Sequence, residues 1–332
     1  MNTKIIFIFI FCLILKSSGL CFTTNDTTKN EFGILSIINS DSTLYASTSN
    51  GIYKSTNYAE SWQDISYNYK AIFDDHYEPF TLMKVFEFKG KKMLFTWSMD
   101  GTICILDFEK QEWTTVRFLN KDKLKRGEVL IDIIKSGDYF IISLYPERIY
   151  KTKDFVNWEK INEIPDGEWN IFSSNQDLIY LNDLTKEFTY IINIKDNIIQ
   201  KIKTPGFIDG HFIFKDSLVF VSAKSGIYFS TNCGENWYNI AFNLKEIMEK
   251  MEFWPIVYYF EGELYCVVDN GIYKFNYEKW IKCNYNWEKE RFFIILVSVF
   301  DNHVVLLSQR FGLIRSDDGL NYYRVNFNVE NN

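Results

Sequence analysis

The sequence predicts an all-β protein, a seven-bladed propeller of four-stranded antiparallel blades over residues 32–332. Three observations carry this. Aromatic residues make up 18% of the chain, and aromatic side chains suit the half-buried, pleated surface of sheets. A segment pattern recurs along the chain with a period of about 44 residues, the spacing of propeller blades. Helical periodicity is absent outside Leu244–Met251, where one helical turn is expected in a loop.

The first unit shows the elements in order. Residues Ile34–Asn39 form an apolar run, Thr43–Thr48 alternates, Gly51–Ser55 is a short Gly-Ile-Tyr-Lys-Ser strand, and Trp62–Ser66 closes the unit. Asn, Asp, Ser and Gly clusters separate these runs, as turns require. A shared aromatic recurs at Trp62, Trp113, Trp158, Trp237, Trp280 and Tyr322. The fourth unit, Asp177–Ile198, is degenerate and lacks that aromatic. The last unit ends in an outer strand, Tyr322–Asn328, with no strand left over. The ring is therefore expected to close by blade-to-blade packing, helped by residues 29–32.

Residues 1–21 read as a secretory signal peptide. Lys4 supplies the positive start, Ile5–Leu15 an apolar run too short to span a bilayer, and Ser17, Ser18 and Gly19 the small residues before a cut. Residues 22–31 are a short polar segment holding the single N-x-S/T sequon, Asn25-Asp-Thr27, a candidate glycosylation site. These features predict a secreted protein, or one in the lumen of the secretory pathway, with no membrane span. Export permits disulfides, and Cys104, Cys233, Cys266 and Cys283 allow three pairings or a set of buried thiols. The net charge of −7 disfavours nucleic acid as a partner. No cofactor and no metal site are expected, because no zinc spacing, P-loop or nucleophile elbow is present. The chain is expected to be a monomer.

Four units share a polar turn before the aromatic: Ser55-Thr-Asn57 with Trp62, Thr152-Lys-Asp154 with Trp158, Ser230-Thr-Asn232-Cys-Gly234 with Trp237, and Ser316-Asp-Asp318-Gly319 with Tyr322. The pattern resembles the Asp-box, or BNR, repeat of sialidases, sortilin-type Vps10 domains and photosystem assembly propellers. The resemblance implies a propeller whose boxes sit on the outer rim as structural turns. In such a turn the Asx side chain accepts backbone N–H bonds, and the Trp ring is expected to cover the turn against the sheet.

Loops at the channel mouth are the place for a ligand. Four tryptophans outside the repeat, Trp97, Trp169, Trp254 and Trp287, fall in those loops with Arg148, Arg291 and Arg310. Flat rings there would stack on a sugar or an apolar peptide side chain. A packing role between blades is the competing reading. The sequence thus predicts a non-catalytic propeller that binds a glycan or an extended peptide. Two alternatives stand beside it. One is a sialidase-like hydrolase in which the arginines clamp a carboxylate, although no arginine precedes Arg117 and no Phe-Arg-Ile-Pro motif is present. The other is a sortilin-like sorting or scaffold protein.

Overall fold

The computed structural model describes residues 33–330 apart from 70–81, 99–100, 119–127, 146–147, 162–168, 176–177, 184–186, 197, 207–209, 215–216, 223–225, 233, 252–254, 269–270, 286–293, 301 and 309–311, and apart from the side chains of 117, 145, 169–175, 183, 210–214, 217–222, 295 and 300. The expected signal peptide, the polar segment with Asn25 and residues 29–32 lie outside the described residues.

Short alternating runs broken by turn residues become antiparallel meanders. The first sheet holds β1 (Ile34–Ser40), β2 (Thr43–Thr48), β3 (Ile52–Ser55) and β4 (Gln63–Asp64), paired in that order. The second holds β5 (Leu82–Phe88), β6 (Lys91–Trp97), β7 (Thr102–Asp107) and β8 (Glu112–Arg117). The third holds β9 (Val129–Ser136), β10 (Tyr139–Tyr145), β11 (Arg148–Thr152) and β12 (Glu159–Lys160). The degenerate unit folds as regularly as the rest, with β13 (Trp169–Asn175), β14 (Leu178–Asp183), β15 (Phe188–Asn193) and β16 (Ile199–Lys203). Next come β17 (Gly210–Phe214), β18 (Ser217–Ser222), β19 (Gly226–Ser230) and β20 (Tyr238–Asn239). A 3-10 turn at Phe242–Leu244 and a one-turn helix α1 (Lys245–Met248) stand where the single helical turn was expected. The sixth sheet holds β21 (Ile256–Phe260), β22 (Glu263–Val268), β23 (Gly271–Phe275) and β24 (Trp280–Lys282).

The remaining strands, β25 (Asn284–Tyr285), β26 (Ile294–Phe300), β27 (His303–Ser308), β28 (Gly312–Ser316) and β29 (Asn321–Val325), form one five-stranded sheet in the order β25-β29-β28-β27-β26. Here the expectation of seven four-stranded antiparallel blades is contradicted. Among the described residues six sheets have four antiparallel strands, and this one has five with a parallel pair, β25 beside β29. The physical reason is that the chain leaving the sixth sheet runs along the outer edge of the next one before turning inward.

The innermost strands β1, β5, β9, β13, β17, β21 and β26 neighbour one another in that circular order, and β26 abuts β1. The chain is therefore a closed β-propeller. The described residues form several cores rather than one central one. Each gap between adjacent sheets is filled instead. Phe95, Ile103 and Ile105 of the second sheet meet Ile133, Phe140 and Ile142 of the third. Ile134 and Ile141 meet Ile179 and Leu181. Tyr258 and Tyr265 meet Val304, Leu306 and Ile314. Ile37, Leu44 and Trp62 of the first sheet meet Val305, Leu307 and Leu313 of the last. A sheet buried on both faces needs apolar residues in continuous runs, which accounts for stretches such as Tyr139–Leu144.

Closure does not rest on packing alone. Past β29, residues 326–330 cross to the first sheet, where Val329 bridges Trp62 in parallel. The Trp62 amide donates to the Asn328 carbonyl at 2.8 Å, and the Glu330 amide donates to the Trp62 carbonyl at 2.9 Å. The expected outer strand Tyr322–Asn328 thus ends at Val325, and the residues after it serve the neighbouring sheet.

Candidate functional site

Three sets of residues define the chemistry of the ring: the turns of the rim, the aromatics beside them, and the groups facing the channel and its mouth.

The rim turns are built from Asx side chains. In the first sheet Asn57 Oδ1 accepts from the Ser61 amide at 3.0 Å, and Ser55 Oγ accepts from the Ala59 amide at 2.9 Å. Asp154 Oδ1 accepts from the amides of Val156 and Asn157 at 2.9 and 2.8 Å. Asn232 Oδ1 accepts from the Asn236 amide at 2.9 Å, with Ser230 Oγ taking the Gly234 amide at 2.8 Å. Asp318 Oδ1 accepts from the amides of Leu320 and Asn321 at 2.8 and 2.7 Å. These bonds favour the ionised carboxylates. The Asn157 and Val156 amides hold Asp154 well below the usual carboxylate range. Burial opposes the same effect at Asp318, but the bonds from Asn321, Leu320 and Ser316 outweigh it and lower its pKa.

Three further sheets use the same device where the sequence pattern did not mark it. Asp107 takes the amides of Glu109 and Lys110, Asn193 those of Lys195 and Asp196, and Asn276 those of Glu278 and Lys279. They lack the leading Ser or Thr two residues before, which is the signal the pattern relied on. An Asx four to six residues before the aromatic would have found Asp107 and Asn276.

Two of these turns hold a glycine with positive φ, Gly234 and Gly319. Gly319 has φ +68°, and a Cβ there would come within 2.4 Å of the Tyr265 hydroxyl.

The repeat aromatics act across the joints between sheets. Trp113 is 1% exposed, and its indole donates to the carbonyl of Ile65, on the segment leaving the first sheet, at 3.0 Å. The Asn68 side chain on that segment brackets Trp113. It accepts the Trp113 amide at 2.7 Å and donates to its carbonyl at 3.0 Å. The same arrangement joins the fifth and sixth sheets. Trp280 donates to Ile240 at 2.6 Å, and Asn243 accepts its amide at 2.9 Å and donates to its carbonyl at 3.0 Å. Trp237 donates to the Lys203 carbonyl at 3.2 Å. Trp158 packs edge-on against Phe118, 4.8 Å between centroids. Tyr322 reaches the Tyr258 hydroxyl at 2.6 Å. Trp113, Trp158, Trp237 and Trp280 reach the exit of the preceding sheet, Trp158 and Trp237 also lie against their own turns at Phe155 and Gly234, and Tyr322 bonds to the inner strand β21.

The mouth candidates divide. Trp97 ends β6 and is 2% exposed, packed among Phe95, Ile103 and Leu144. It is a core residue, and its ring presents no face to a ligand. Arg148 opens β11 on the expected face. Its guanidinium pairs with Glu128, donates to the Tyr150 hydroxyl at 2.8 Å and lies over the Tyr150 ring. Both partners of the ion pair are largely buried, at 17% and 9% side-chain exposure. Arg148 is thus neutralised internally rather than open to a ligand carboxylate. Trp169 opens β13. Its side chain, with Trp254, Trp287, Arg291 and Arg310, lies outside the described residues.

The inner strands carry polar pairs that sequence reasoning missed. Lys84 of β5 donates to both carboxylate oxygens of Asp132 on β9 at 2.8 Å, and to the Ile133 carbonyl at 3.0 Å. Burial pushes the Asp132 pKa up, while Lys84 pulls it down. Ser298 of β26 donates to Asn39 of β1 at 2.8 Å. These pairs stitch neighbouring inner strands. A lone Lys and a lone Asp 48 residues apart leave no sequence signal.

Cys104, Cys266 and Cys283 are buried thiols with no disulfide among them. Cys233 lies outside the described residues. Burial pushes the Cys283 thiol up to about 12, and that of Cys266 higher still. No described helix is long and apolar enough to cross a membrane.

No family model and no curated protein matches the chain. Solved structures do. The computationally designed Ika8 protein aligns with a TM-score of 0.57 at 10% identity, covering 90% of each chain. YCF48 bound to D1 peptide aligns at 0.54 and 14% identity, over 75% of this chain and 85% of that one. YCF48 from Cyanidioschyzon merolae aligns at 0.55 and 12% identity, over 70% and 80%. The extracellular domain of the putative one-component system BT4673 from B. thetaiotaomicron aligns at 0.52 and 12% identity, over 89% of this chain and 49% of that chain. At these identities the likeness is one of fold, and it places the chain among the β-propellers.

Proposed function

We propose that this chain is a non-catalytic binding propeller that takes an extended peptide across the mouth of its channel. The observation that carries the reading is the neutralisation of Arg148 by Glu128. It removes one arginine of the three that a carboxylate clamp would need. YCF48, a neighbour in fold, is seen with a peptide, and that supports a peptide over a glycan. On this reading Trp169, Trp254 and Trp287 supply the apolar contacts, and Arg291 and Arg310 the polar ones. The rim turns are structural Asp-box turns. The chain is exported by the signal in residues 1–21, carries a glycan at Asn25 and works as a secreted monomer.

A peptide array and a glycan array, each probed with the purified mature chain, test this. Binding to a set of extended peptides is expected. It should fall at least tenfold in W169A/W254A/W287A, with little change in melting temperature. Binding confined to the glycan array, or loss of fold in the triple variant, would overturn the reading.

A further inference from the structure

Two described joints of the ring use the same parts, and the closing joint uses related parts differently. Where the first sheet meets the second, and the fifth meets the sixth, the segment leaving one sheet docks on the aromatic of the next. An Asn side chain brackets the backbone of that aromatic, and an indole N–H is accepted by a carbonyl of the exit segment. In both cases the exit segment continues into the very sheet on which it docks, so leaving would have to drag that sheet along.

At the joint between the last sheet and the first, residues 326–330 are the exit segment. They dock on Trp62 by two backbone bonds. Phe327 stacks on the Trp62 ring, 4.6 Å between centroids and 20° between planes, and meets Tyr53 edge-on at 5.4 Å. Ser61 Oγ donates to the Glu330 carboxylate. Asn328 Nδ2 donates to the Glu60 carbonyl at 3.4 Å. The groove therefore reads a parallel strand with an aromatic side chain and, three residues on, a carboxylate.

Two features set this joint apart. Trp62 Nε1 is buried without an acceptor, whereas the indoles of Trp113, Trp237 and Trp280 all have one. The docked residues are also separated from Trp62 by most of the chain, 269 positions between Ser61 and Glu330. Among the described residues no sheet follows the segment, so its release need move none of them.

We infer that residues 326–330 form a detachable closing strand, which can leave while Arg315–Tyr58, Ser298–Asn39 and the packed core still join the last sheet to the first. The edge of the first sheet around Trp62 is then a strand-acceptor site, and its ligand is a short parallel peptide of the tail's own type. The inference is independent of what binds at the mouth.

Amide hydrogen exchange on the intact chain tests the first part. The amides of Trp62 and Glu330 should exchange at least tenfold faster than those of Trp113 and Trp280, whose bonds are of similar length. Equal or slower exchange at Trp62 would overturn it. A chain ended after Val325 tests the second part. It should melt lower, and a synthetic peptide of residues 326–332 should restore the melting point in a saturable way. The same peptide with F327A should not restore it. An unchanged melting point on truncation, or equal rescue by both peptides, would refute the acceptor site. If the truncated chain does not fold, full-length F327A replaces it. That variant should speed exchange at Trp62 while leaving Trp113 unchanged, and equal acceleration at both would overturn the proposal.

Discussion

Replacing tryptophan by phenylalanine at three equivalent positions isolates one hydrogen bond in the joints between sheets. Trp62, Trp113 and Trp280 are 0%, 1% and 2% exposed, so the loss of bulk is similar at each and largely cancels on comparison. What differs is the indole N–H. In W113F and W280F the carbonyls of Ile65 and Ile240 lose their donor. Leaving a buried polar group unpaired costs about 1–3 kcal/mol. In W62F the missing N–H had no acceptor, so removing it relieves a cost of similar size, about 1–3 kcal/mol. W113F and W280F should therefore be destabilised by at least ~2 kcal/mol more than W62F. The assay is urea denaturation followed by tryptophan fluorescence and circular dichroism, comparing midpoints at unchanged slope. In thermal melts the gap corresponds to roughly 3 °C or more for a chain of this size. If W62F loses as much stability as W113F, the indole bonds do not hold the joints together and the reasoning fails.

The Asx turns make an acid test. The carboxyl pKa values of Asp154 and Asp318 are depressed in the folded state, so their stabilisation is present above the unfolded pKa of about 4 and is lost as pH falls through the folded value. The melting temperature should therefore drop below about pH 4. D154N/D318N should reduce that slope, since Asn57 and Asn232 already fill the same role uncharged; an unchanged slope would count against these two turns. Alanine at Gly319 should destabilise by ~1–3 kcal/mol, because its Cβ would strike Tyr265 in a left-handed backbone; a melting point within 1 °C of the parent would refute the contact. Thiol titration with a chromogenic disulfide should leave Cys104, Cys266 and Cys283 unmodified in the native chain and label them in guanidinium. Rapid native labelling of any of the three would show that their burial is wrong. Asn68→Ala removes both bonds to Trp113 and should cost ~1–3 kcal/mol; hydrogen exchange should localise the loss to the first joint.

The sequence by itself determined the strands and their repetition. Alternating runs such as Thr43–Thr48, bounded by turn residues, can bury one face only as sheet, and strand propensity and turn chemistry are local. Those same local rules located β1 (Ile34–Ser40) and β2 within a residue, and the helical turn near Lys245 within three. They also located four of the Asx turns, because an Asx side chain bonds amides two to four residues away. Everything that crosses a joint was decided only in three dimensions. The burial of Trp97, the pairing of Arg148 with Glu128, the Lys84–Asp132 bridge and the docking of Phe327 on Trp62 join residues whose positions along the chain bear no fixed relation. No local pattern encodes them, because the circle brings a residue its partner only after the adjoining sheet has formed. The extra parallel strand β25 has the same origin: Asn284-Tyr285 looks like linker, and becomes a strand only because the outer edge of the next sheet offers unpaired backbone groups beside it.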